Sequence, residues 1–310
     1  MRNRIFVLPL AASLVFLSGC EWSEFGPSEK HVADFHHSYP LKSGGRLSLE
    51  NFNGSVEIAG WDQEMVDISG QKYARSLELL DAIKIDIVSS GDSIQIRTLR
   101  PSERRGNMGA TYLIKAPRRV QLDRIVSSNG GIRVHETEGA VRLRTSNGGI
   151  RTANLKGDLE AQTSNGGVEV RNLEGGAIVK TSNGRVKAEG VRGAFEATTS
   201  NGGINVQLAG SEGGRAIRLG TSNGGVELTL NAASRNDVRV STSNGGITLR
   251  LPAAIGARVR ASTSNSSIST DFDVKMQGTI GKNHLEGVIG AGGPLFDLST
   301  TNGHIRLAKM

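Results

Sequence analysis

The sequence is poor in the residues that build disulfide frameworks and aromatic cores. It holds one cysteine, two tryptophans, three tyrosines and eight phenylalanines among 310 residues, whereas glycine occurs 41 times. A single cysteine excludes a disulfide within the chain, and the scarcity of aromatic rings excludes a large aromatic core. The abundance of glycine predicts a chain of many turns that join short segments.

The positive charge of the chain is not gathered into a basic patch. A formal charge of +7 and an isoelectric point near 9.7 would suit nucleic acid or an anionic membrane surface. Basic and acidic residues nevertheless alternate, as where Arg142 and Arg144 are followed by Asp158 and Glu160. Because a nucleic-acid interface needs clustered basic residues, we expect no nucleic-acid binding.

Residues 1–19 have the layout of a lipoprotein signal peptide. Arg2 and Arg4 precede an apolar run, 5–17, that is too short to span a bilayer. The run ends in Leu17-Ser18-Gly19-Cys20, which resembles the bacterial lipobox, in which the cysteine is lipidated and becomes the mature N-terminus. We therefore expect a membrane anchor through lipid on Cys20, with an ordinary signal peptide or an intermolecular disulfide as the alternatives.

The residues after Cys20 predict a location and a tether. In Gram-negative lipoproteins an aspartate after the cysteine resembles an inner-membrane retention signal, whereas this chain has Glu21. A cell-envelope location is therefore expected, and the outer membrane is favoured if the source is Gram-negative. Residues 20–40 mix charge, Pro27 and three histidines without periodicity, which predicts a flexible tether.

A hexapeptide close to Thr-Ser-Asn-Gly-Gly-Ile recurs through residues 127–310. The first five copies follow one another at intervals of 18 residues, the next three at 22, 21 and 21, and the last at 37. The asparagines of these copies are Asn129, Asn147, Asn165, Asn183, Asn201, Asn223, Asn244, Asn265 and Asn302, with an outlying copy at Asn53. Repeats of this length are typical of solenoids and propellers.

The residues around each asparagine follow the pattern of a strand. In eight repeats the positions six and four before it are apolar, the position two before it is threonine, and the intervening positions are mostly polar. The apolar residues are Val141, Leu143, Leu159, Ala161, Ala177, Val179, Phe195, Ala197, Ile217, Leu219, Val238, Val240, Val259, Ala261, Phe296 and Leu298. The threonines are Thr145, Thr163, Thr181, Thr199, Thr221, Thr242, Thr263 and Thr300. This alternation predicts strands with one buried face, and parity places both threonine and asparagine on that face.

Like residues recur at whole-repeat distances, which favours stacked coils. An array of hairpins or a propeller is the alternative, because Asn-Gly also favours hairpin turns. A coil cannot bury its apolar side alone, so its neighbours must cover it. We predict an all-β fold, a parallel β-helix (β-solenoid) with coils of about 18–22 residues, right-handed by the usual hand of parallel crossovers. Gly-Gly would turn each corner with positive φ, and the asparagine amides would form an internal ladder.

Residues 41–126 predict less regular coils of the same solenoid. The segments 47–49, 56–58, 83–87 and 94–96 alternate as strands, and Ser90-Gly91-Asp92 forms a turn between the last two. We expect this part to cover the N-terminal edge of the regular solenoid, 127–310. The 37-residue interval between Asn265 and Asn302 holds either one extra coil or a loop.

These motifs together resemble the bacterial putative-adhesin family of β-strand-repeat proteins, a group defined by its domain. The resemblance rests on Asn53-Gly54-Ser55-Val56-Glu57-Ile58 before Gly60-Trp61-Asp62, on Ala116-Pro117-Arg118-Arg119-Val120, on the serial Ser-Asn-Gly corners and on Ile289-Gly290-Ala291-Gly292-Gly293. It covers the chain from about residue 41 to the end. The resemblance implies a β-solenoid in a cell-envelope setting, and it supplies no catalytic residues.

The residues themselves predict neither catalysis nor a cofactor. His31, His36 and His37 lie near Asp34, but a flexible tether makes a poor preformed metal site. His135, His284 and His304 are isolated, and no nucleophile, phosphate-loop or calcium-repeat motif accompanies them. We therefore expect no metal site.

Two classes of function remain. The first is a non-catalytic, adhesin-like scaffold or binding module that contacts an envelope protein, a glycan or a cell-wall polymer. The second is a polysaccharide-active enzyme built on a β-helix, by analogy of fold. A role in envelope stress or assembly is a further alternative.

Overall fold

The computed structural model describes residues 30–102, 106–210, 215–232, 235–276 and 281–310, and the regular secondary structure in this part is almost entirely β-strand. Its one helix there is α1 (Leu77–Ala82). The strands are β1 (His31–Pro40), β2 (Arg46–Asn51), β3 (Val56–Trp61), β4 (Met65–Ala74), β5 (Lys84–Ser90), β6 (Ser93–Leu99), β7 (Gly109–Pro117), β8 (Gln121–Ser127), β9 (Ile132–His135), β10 (Val141–Thr145), β11 (Ile150–Lys156), β12 (Leu159–Gln162), β13 (Val168–Glu174), β14 (Ala177–Lys180), β15 (Val186–Arg192), β16 (Phe195–Thr199), β17 (Ile204–Gly210), β18 (Ile217–Thr221), β19 (Val226–Leu230), β20 (Val238–Thr242), β21 (Ile247–Leu251), β22 (Ala257–Thr263), β23 (Ile268–Thr270), β24 (Val274–Met276), β25 (His284–Ile289), β26 (Leu295–Thr300) and β27 (Ile305–Lys309).

Each coil contributes one strand to each of two sheets. Sheet A has thirteen strands and sheet B fourteen. In a typical coil, β10 lies in sheet B, the Ser-Asn-Gly-Gly corner follows, β11 lies in sheet A, and a turn at Gly157 returns the chain to β12 in sheet B. Strands of successive coils pair in parallel and in register, so that Val141 pairs with Leu159 and Ile150 with Val168. The predicted all-β parallel solenoid is therefore confirmed, and its right-handed sense stays a prediction.

The core lies between the two sheets and is filled by the residues that the repeat pattern selected. All sixteen apolar residues at the two strand positions are buried, and so are the eight threonines. The isoleucine or valine after each corner is buried as well, except Ile268 in the short terminal strand β23, which is partly buried. Each coil completes the burial of its neighbour, as expected for a repeat fold.

The order of the coils in space differs from their order in the chain at both ends. The coil of β2 and β3 lies between the coil of β6 and β7 and the coil of β8 and β9. At the other end, β26 and β27 lie between β20 and β21 on one side and β22 and β23 on the other. The chain between Asn265 and Asn302 therefore returns so that the last coil lies inside the stack. The whole stack contains eleven coils with one strand in each sheet, which gives a rod about 50 Å long.

The tether prediction is wrong for residues 31–40. These residues form β1, which pairs antiparallel with β4 along its whole length. Phe35 and Tyr39 pack against the core, and this burial explains why the segment is ordered as a strand. Nearby, Ser76 caps α1, whose Leu79 and Leu80 are buried with Ala74 and Met108 in a second small core.

The prediction that the corner asparagines face inward is also wrong. All nine are exposed, although the threonine two residues earlier is buried in each of the eight repeats that carry it. The strand ends at that threonine or one residue before it, and the chain bends at the residue that follows the threonine, so the two-residue period no longer applies at the asparagine. The asparagines instead form a ladder on the outer edge of the rod.

Candidate binding faces

The outer face of sheet A carries charges that are paired between and along its strands. Arg133 on β9 lies 2.8 Å from Glu57 on β3, and Arg250 on β21 lies 2.7 Å from Glu227 on β19. Within β15, Lys187 lies 2.8 Å from Glu189. Because the partners sit on neighbouring strands or two residues apart, the change of charge sign from coil to coil compensates most of the charge on this face.

A shallow groove of about 610 Å³ lies on this face where the antiparallel strands β1, β4 and β7 meet the parallel stack. Its lining includes Asp34, Glu57, Gln71, Arg133 and Arg151. These polar groups already have partners, since Gln71 donates to Asp34 at 3.0 Å and Arg151 lies 3.6 Å from Glu169. The groove therefore has no group of unpaired side chains aimed at one point.

Part of the positive charge on the outer face of sheet B is uncompensated. Arg142 on β10 lies 3.8 Å from Asp123 and 3.7 Å from Glu160. By contrast, Arg144 on β10 and Lys180 on β14 are exposed, and neither has an ion-pair partner among the described residues. Gln162 on β12 lies between them in register. We call Arg144, Gln162 and Lys180 the basic strip.

The asparagine edge is neutral and bonded to itself. Every amide nitrogen after that of Asn129 donates to the amide oxygen of the adjacent coil, for example from Asn165 to Asn147 and from Asn183 to Asn165, both at 2.8 Å. The ladder runs from Asn129 to Asn244, continues to Asn302 and ends at Asn265. Beneath it, the threonine hydroxyls donate to corner glycine carbonyls, as Thr163 does to Gly148 at 2.8 Å.

In the eight regular corners that carry glycine directly after the asparagine, the close approach of two backbones requires this glycine, and positive φ does not. The corner at Asn265, in the coil at the end of the stack, has Ser266 at this position. A Cβ on Gly166 would lie 2.1 Å from the carbonyl oxygen of Gly148. The positive φ values occur instead at the opposite turn, at Gly139, Gly157, Gly175 and Gly193. The expectation of positive φ at the Gly-Gly corner is therefore wrong.

A second ladder, which the repeat pattern did not predict, lies near the end of the sheet A strands. Glu136, Asn154 and Asn172 occupy one column and all have left-handed φ values between 51° and 59°. Asn154 donates to Glu136 at 2.6 Å, and Asn172 donates to Asn154 at 2.9 Å. Gly190, with φ of 69°, occupies the same position in the next coil. The sequence signal for this second ladder was asparagine at both 154 and 172, one repeat apart.

The histidines do not come together as a metal centre. On β1, His36 lies 2.6 Å from Asp67, and His37 stacks on Tyr39. His135 lies 3.6 Å from Glu57, and His304 contacts Ser267 and Ser269. Within the described ranges no group of three or more histidine, cysteine, aspartate or glutamate side chains could hold a metal ion.

Among the described residues, the carboxyl groups whose pKa departs from its ordinary value all have a lowered pKa. A hydrogen bond of 2.6 Å from Arg118 lowers the pKa of Asp62, and Lys187 lowers the pKa of Glu189 in the same way. Arg260 lowers the pKa of Glu286. A general acid in glycoside hydrolysis needs the opposite shift, toward neutral pH, so these groups are suited to ion pairing and not to proton donation.

Cys20 and the predicted signal peptide, residues 1–19, lie outside the described residues, and both the signal peptide and lipidation stay predictions. In the part of the chain that the structure describes, no helix has the length and apolar character needed to cross a membrane.

Solved structures similar to this chain come from several bacteria. A "putative adhesin" from Bacteroides fragilis NCTC 9343 is 12% identical, with 89% of this chain and 97% of that chain covered and a TM-score of 0.41. A "putative cell adhesion protein" from Clostridium sporogenes ATCC 15579 is 13% identical, with 90% and 100% covered and a TM-score of 0.22. A "putative lipid binding protein" from Parabacteroides distasonis ATCC 8503 is 12% identical, with 91% and 98% covered and a TM-score of 0.35.

A family model gives the more direct assignment. No curated protein matches the chain. The model of the Toastrack DUF4097 family matches residues 46–308, which run from the start of β2 into β27 and include every stacked coil. The resemblance inferred from the corner motifs is thereby confirmed. The chain belongs to the Toastrack DUF4097 family.

Proposed function

We propose that this chain is a lipid-anchored protein of the cell envelope that acts as a non-catalytic scaffold, and that it contacts an acidic partner through the outer face of sheet B. The Leu17-Ser18-Gly19-Cys20 motif supports the anchor. The basic strip supports the contact face, because Arg144 and Lys180 are exposed there without a compensating carboxylate among the described residues. The partner is an acidic polymer or protein surface of the envelope.

The rigid stack supports the role of a scaffold. Parallel pairing holds Arg144, Gln162 and Lys180 at one strand spacing from coil to coil, about 5 Å. Ile178, which is 37% exposed, lies two residues before Lys180 on the same outward side of β14. A flat strip of fixed cations beside an apolar side chain gives a contact surface for an extended anionic chain.

The anchor is tested by comparing the natural chain with a Cys20→Ser variant. We expect the natural chain to carry lipid on its N-terminal cysteine by mass spectrometry and to fractionate with membranes, and we expect the variant to do neither. A natural chain that is cleaved at another residue, or that carries no lipid, would refute the anchor.

The contact face is tested with isolated envelope material and purified protein. We expect a variant with Arg144→Ser and Lys180→Ser to lose most of its retention on this material. A matched variant with Arg151→Ser and Lys187→Ser removes two cations from the compensated face of sheet A and should keep it. Retention of the natural chain should also weaken as salt is raised. Equal retention of the two variants would refute the assignment of the face.

A further inference from the structure

The sheets end at four edge strands that differ greatly in length. Sheet A ends at β1 and β23, and sheet B ends at β5 and β24. Both β23 and β24 have three residues and β5 has seven, whereas β1 has ten. The pairing of β1 with β4 runs without a break from His31 opposite Ala74 to Pro40 opposite Met65. No described strand pairs with the other side of β1.

Of the features that usually protect a sheet edge, the strand β1 has only the exposed carboxylate of Asp34. Its only proline is its last residue, it contains no lysine, and its register has no bulge. The equivalent edge of sheet B carries the exposed charges Lys84 and Asp86. A long, regular edge of this kind is a template for a further strand, because its outward N–H and C=O groups can form ladder hydrogen bonds.

The strand is held in a fixed position, which makes the edge ready to pair. On its inner side, the Phe35 ring packs edge to face on Tyr112 with 5.3 Å between the ring centroids. On its outer side, Asp67 accepts a hydrogen bond from Ser38 at 2.8 Å and contacts His36 at 2.6 Å. A second strand would therefore meet an edge that needs no ordering, which lowers the cost of association.

The outer side of β1 is complementary to itself in an antiparallel arrangement. If a two-fold axis passes through Phe35, Asp34 of each copy lies opposite His36 of the other. Asp34 uses Oδ1 to accept from Gln71, and His36 uses Nε2 toward Asp67. Asp34 Oδ2 and His36 Nδ1 have no partner among the described residues. As an imidazolium, His36 donates from Nε2 to Asp67 and from Nδ1 to Asp34 of the other copy, so each copy can supply a donor and an acceptor.

We propose that two copies of this chain associate through β1, so that sheet A continues from one copy into the other. The two rods then extend in opposite directions from the junction. The partner is a second copy and not an unrelated peptide, because repeating the same strand in reverse places the carboxylate of each copy opposite the imidazole of the other.

The mass in solution tests the association. Since every described contact lies within residues 30–310, a chain that begins at residue 20 and carries Cys20→Ser keeps them all. Light scattering should give a mass that doubles as concentration rises. Asp34→Lys should keep the mass at that of the monomer, while Asp86→Lys, the same change on the edge strand β5, should leave the doubling intact. A monomer at all concentrations, or equal loss with Asp86→Lys, would overturn the proposal.

Disulfide trapping tests the register and does not depend on the behaviour of the lysine variant. In the Cys20→Ser background, one batch carries Asp34→Cys and another carries His36→Cys. We expect oxidation of the mixture to produce cross-linked pairs that neither batch forms as efficiently alone, because positions 34 and 36 lie opposite each other. A mixture of the Asp34→Cys and Asp86→Cys chains is the control. Cross-linking at the level of this control would contradict the β1 interface.

Discussion

Two adjacent glycines of one corner should respond in opposite ways to the same substitution. A Cβ on Gly224 would lie 2.1 Å from the carbonyl oxygen of Gly202 in the preceding coil, whereas a Cβ on Gly225 would lie 3.5 Å from that of Gly246. Neither glycine has positive φ, so backbone strain does not distinguish them. Arg185 already occupies the second position in another coil. We therefore expect Gly224→Ala to destabilise the protein and Gly225→Ala to be tolerated.

The size of the destabilisation by Gly224→Ala can be worked out from the hydrogen bonds that join the two coils at this corner. Relief of the overlap requires the two coils to separate locally by about 1 Å, which exceeds what a good hydrogen bond allows. Three bonds join the coils there: Thr221 Oγ1 to Gly202 O at 2.9 Å, Asn223 Nδ2 to Asn201 Oδ1 at 2.8 Å, and Asn223 N to Ser200 O at 2.9 Å. At about 1 kcal/mol each, their loss lowers the free energy of unfolding by about 3 kcal/mol.

Equilibrium unfolding in urea, followed by circular dichroism, measures both variants under the same conditions. For Gly225→Ala we expect a change between zero and a gain of about 1 kcal/mol, because alanine restricts the unfolded chain. The reasoning is refuted if Gly224→Ala unfolds at the same urea concentration as the natural chain, or if both variants are destabilised equally.

Three further outcomes are expected. Thr152→Val should raise the free energy of unfolding by about 1 kcal/mol, because the buried Thr152 hydroxyl has no hydrogen-bond partner. Thr163→Val should lower the free energy of unfolding, because the Thr163 hydroxyl donates to Gly148. Thermal melts of both variants check this. Asn183→Leu should lower the free energy of unfolding by about 1 kcal/mol through loss of two exposed ladder bonds, and an unchanged melting temperature would contradict the ladder's contribution. Hydrogen bonds from Ser38 and His36 lower the pKa of Asp67. The stability that Asp67 contributes is therefore present above the ordinary aspartate pKa, about 4, and is lost as pH falls through the lowered pKa. Asp67→Asn should remove this acid dependence in thermal melts recorded below about pH 4.

The repeat pattern was sufficient to predict the strands and the core. Positions such as Val141, Thr145 and Ile150 recur with strand periodicity, and burial against like residues of the next coil leaves them one orientation. The orientation of the asparagines was predicted wrongly, because counting by two across Ser146 assumes a strand where the chain turns. A residue pattern predicts which way a side chain points only while the backbone keeps the same conformation.

The ends of the stack depended on contacts that no local pattern encodes. The position of β27 between β21 and β23 is a choice among coils with nearly the same corner, Thr-Ser-Asn before β21 and β23 and Thr-Thr-Asn before β27, so the sequence signal is equally consistent with simple succession. For β1, the polar composition of residues 31–40 indicated a tether, although Phe35 and Tyr39 at the inner positions bury enough apolar surface to hold it. The basic strip was also not predicted, because the pairing of surface charges depends on which coils are neighbours.

The interior position of the last coil determines when the molecule can be completed. A chain that is delivered with its N-terminus first presents β22 and β23 before β26 and β27 exist to separate them from β20 and β21. Growth by simple addition of coils therefore stops one layer early, and the final step must wait until the C-terminal residues arrive and enter the gap. This end of the stack can therefore be completed only after the whole chain has been delivered. A chain cut short before residue 295 leaves strand edges open to proteases and to other chains.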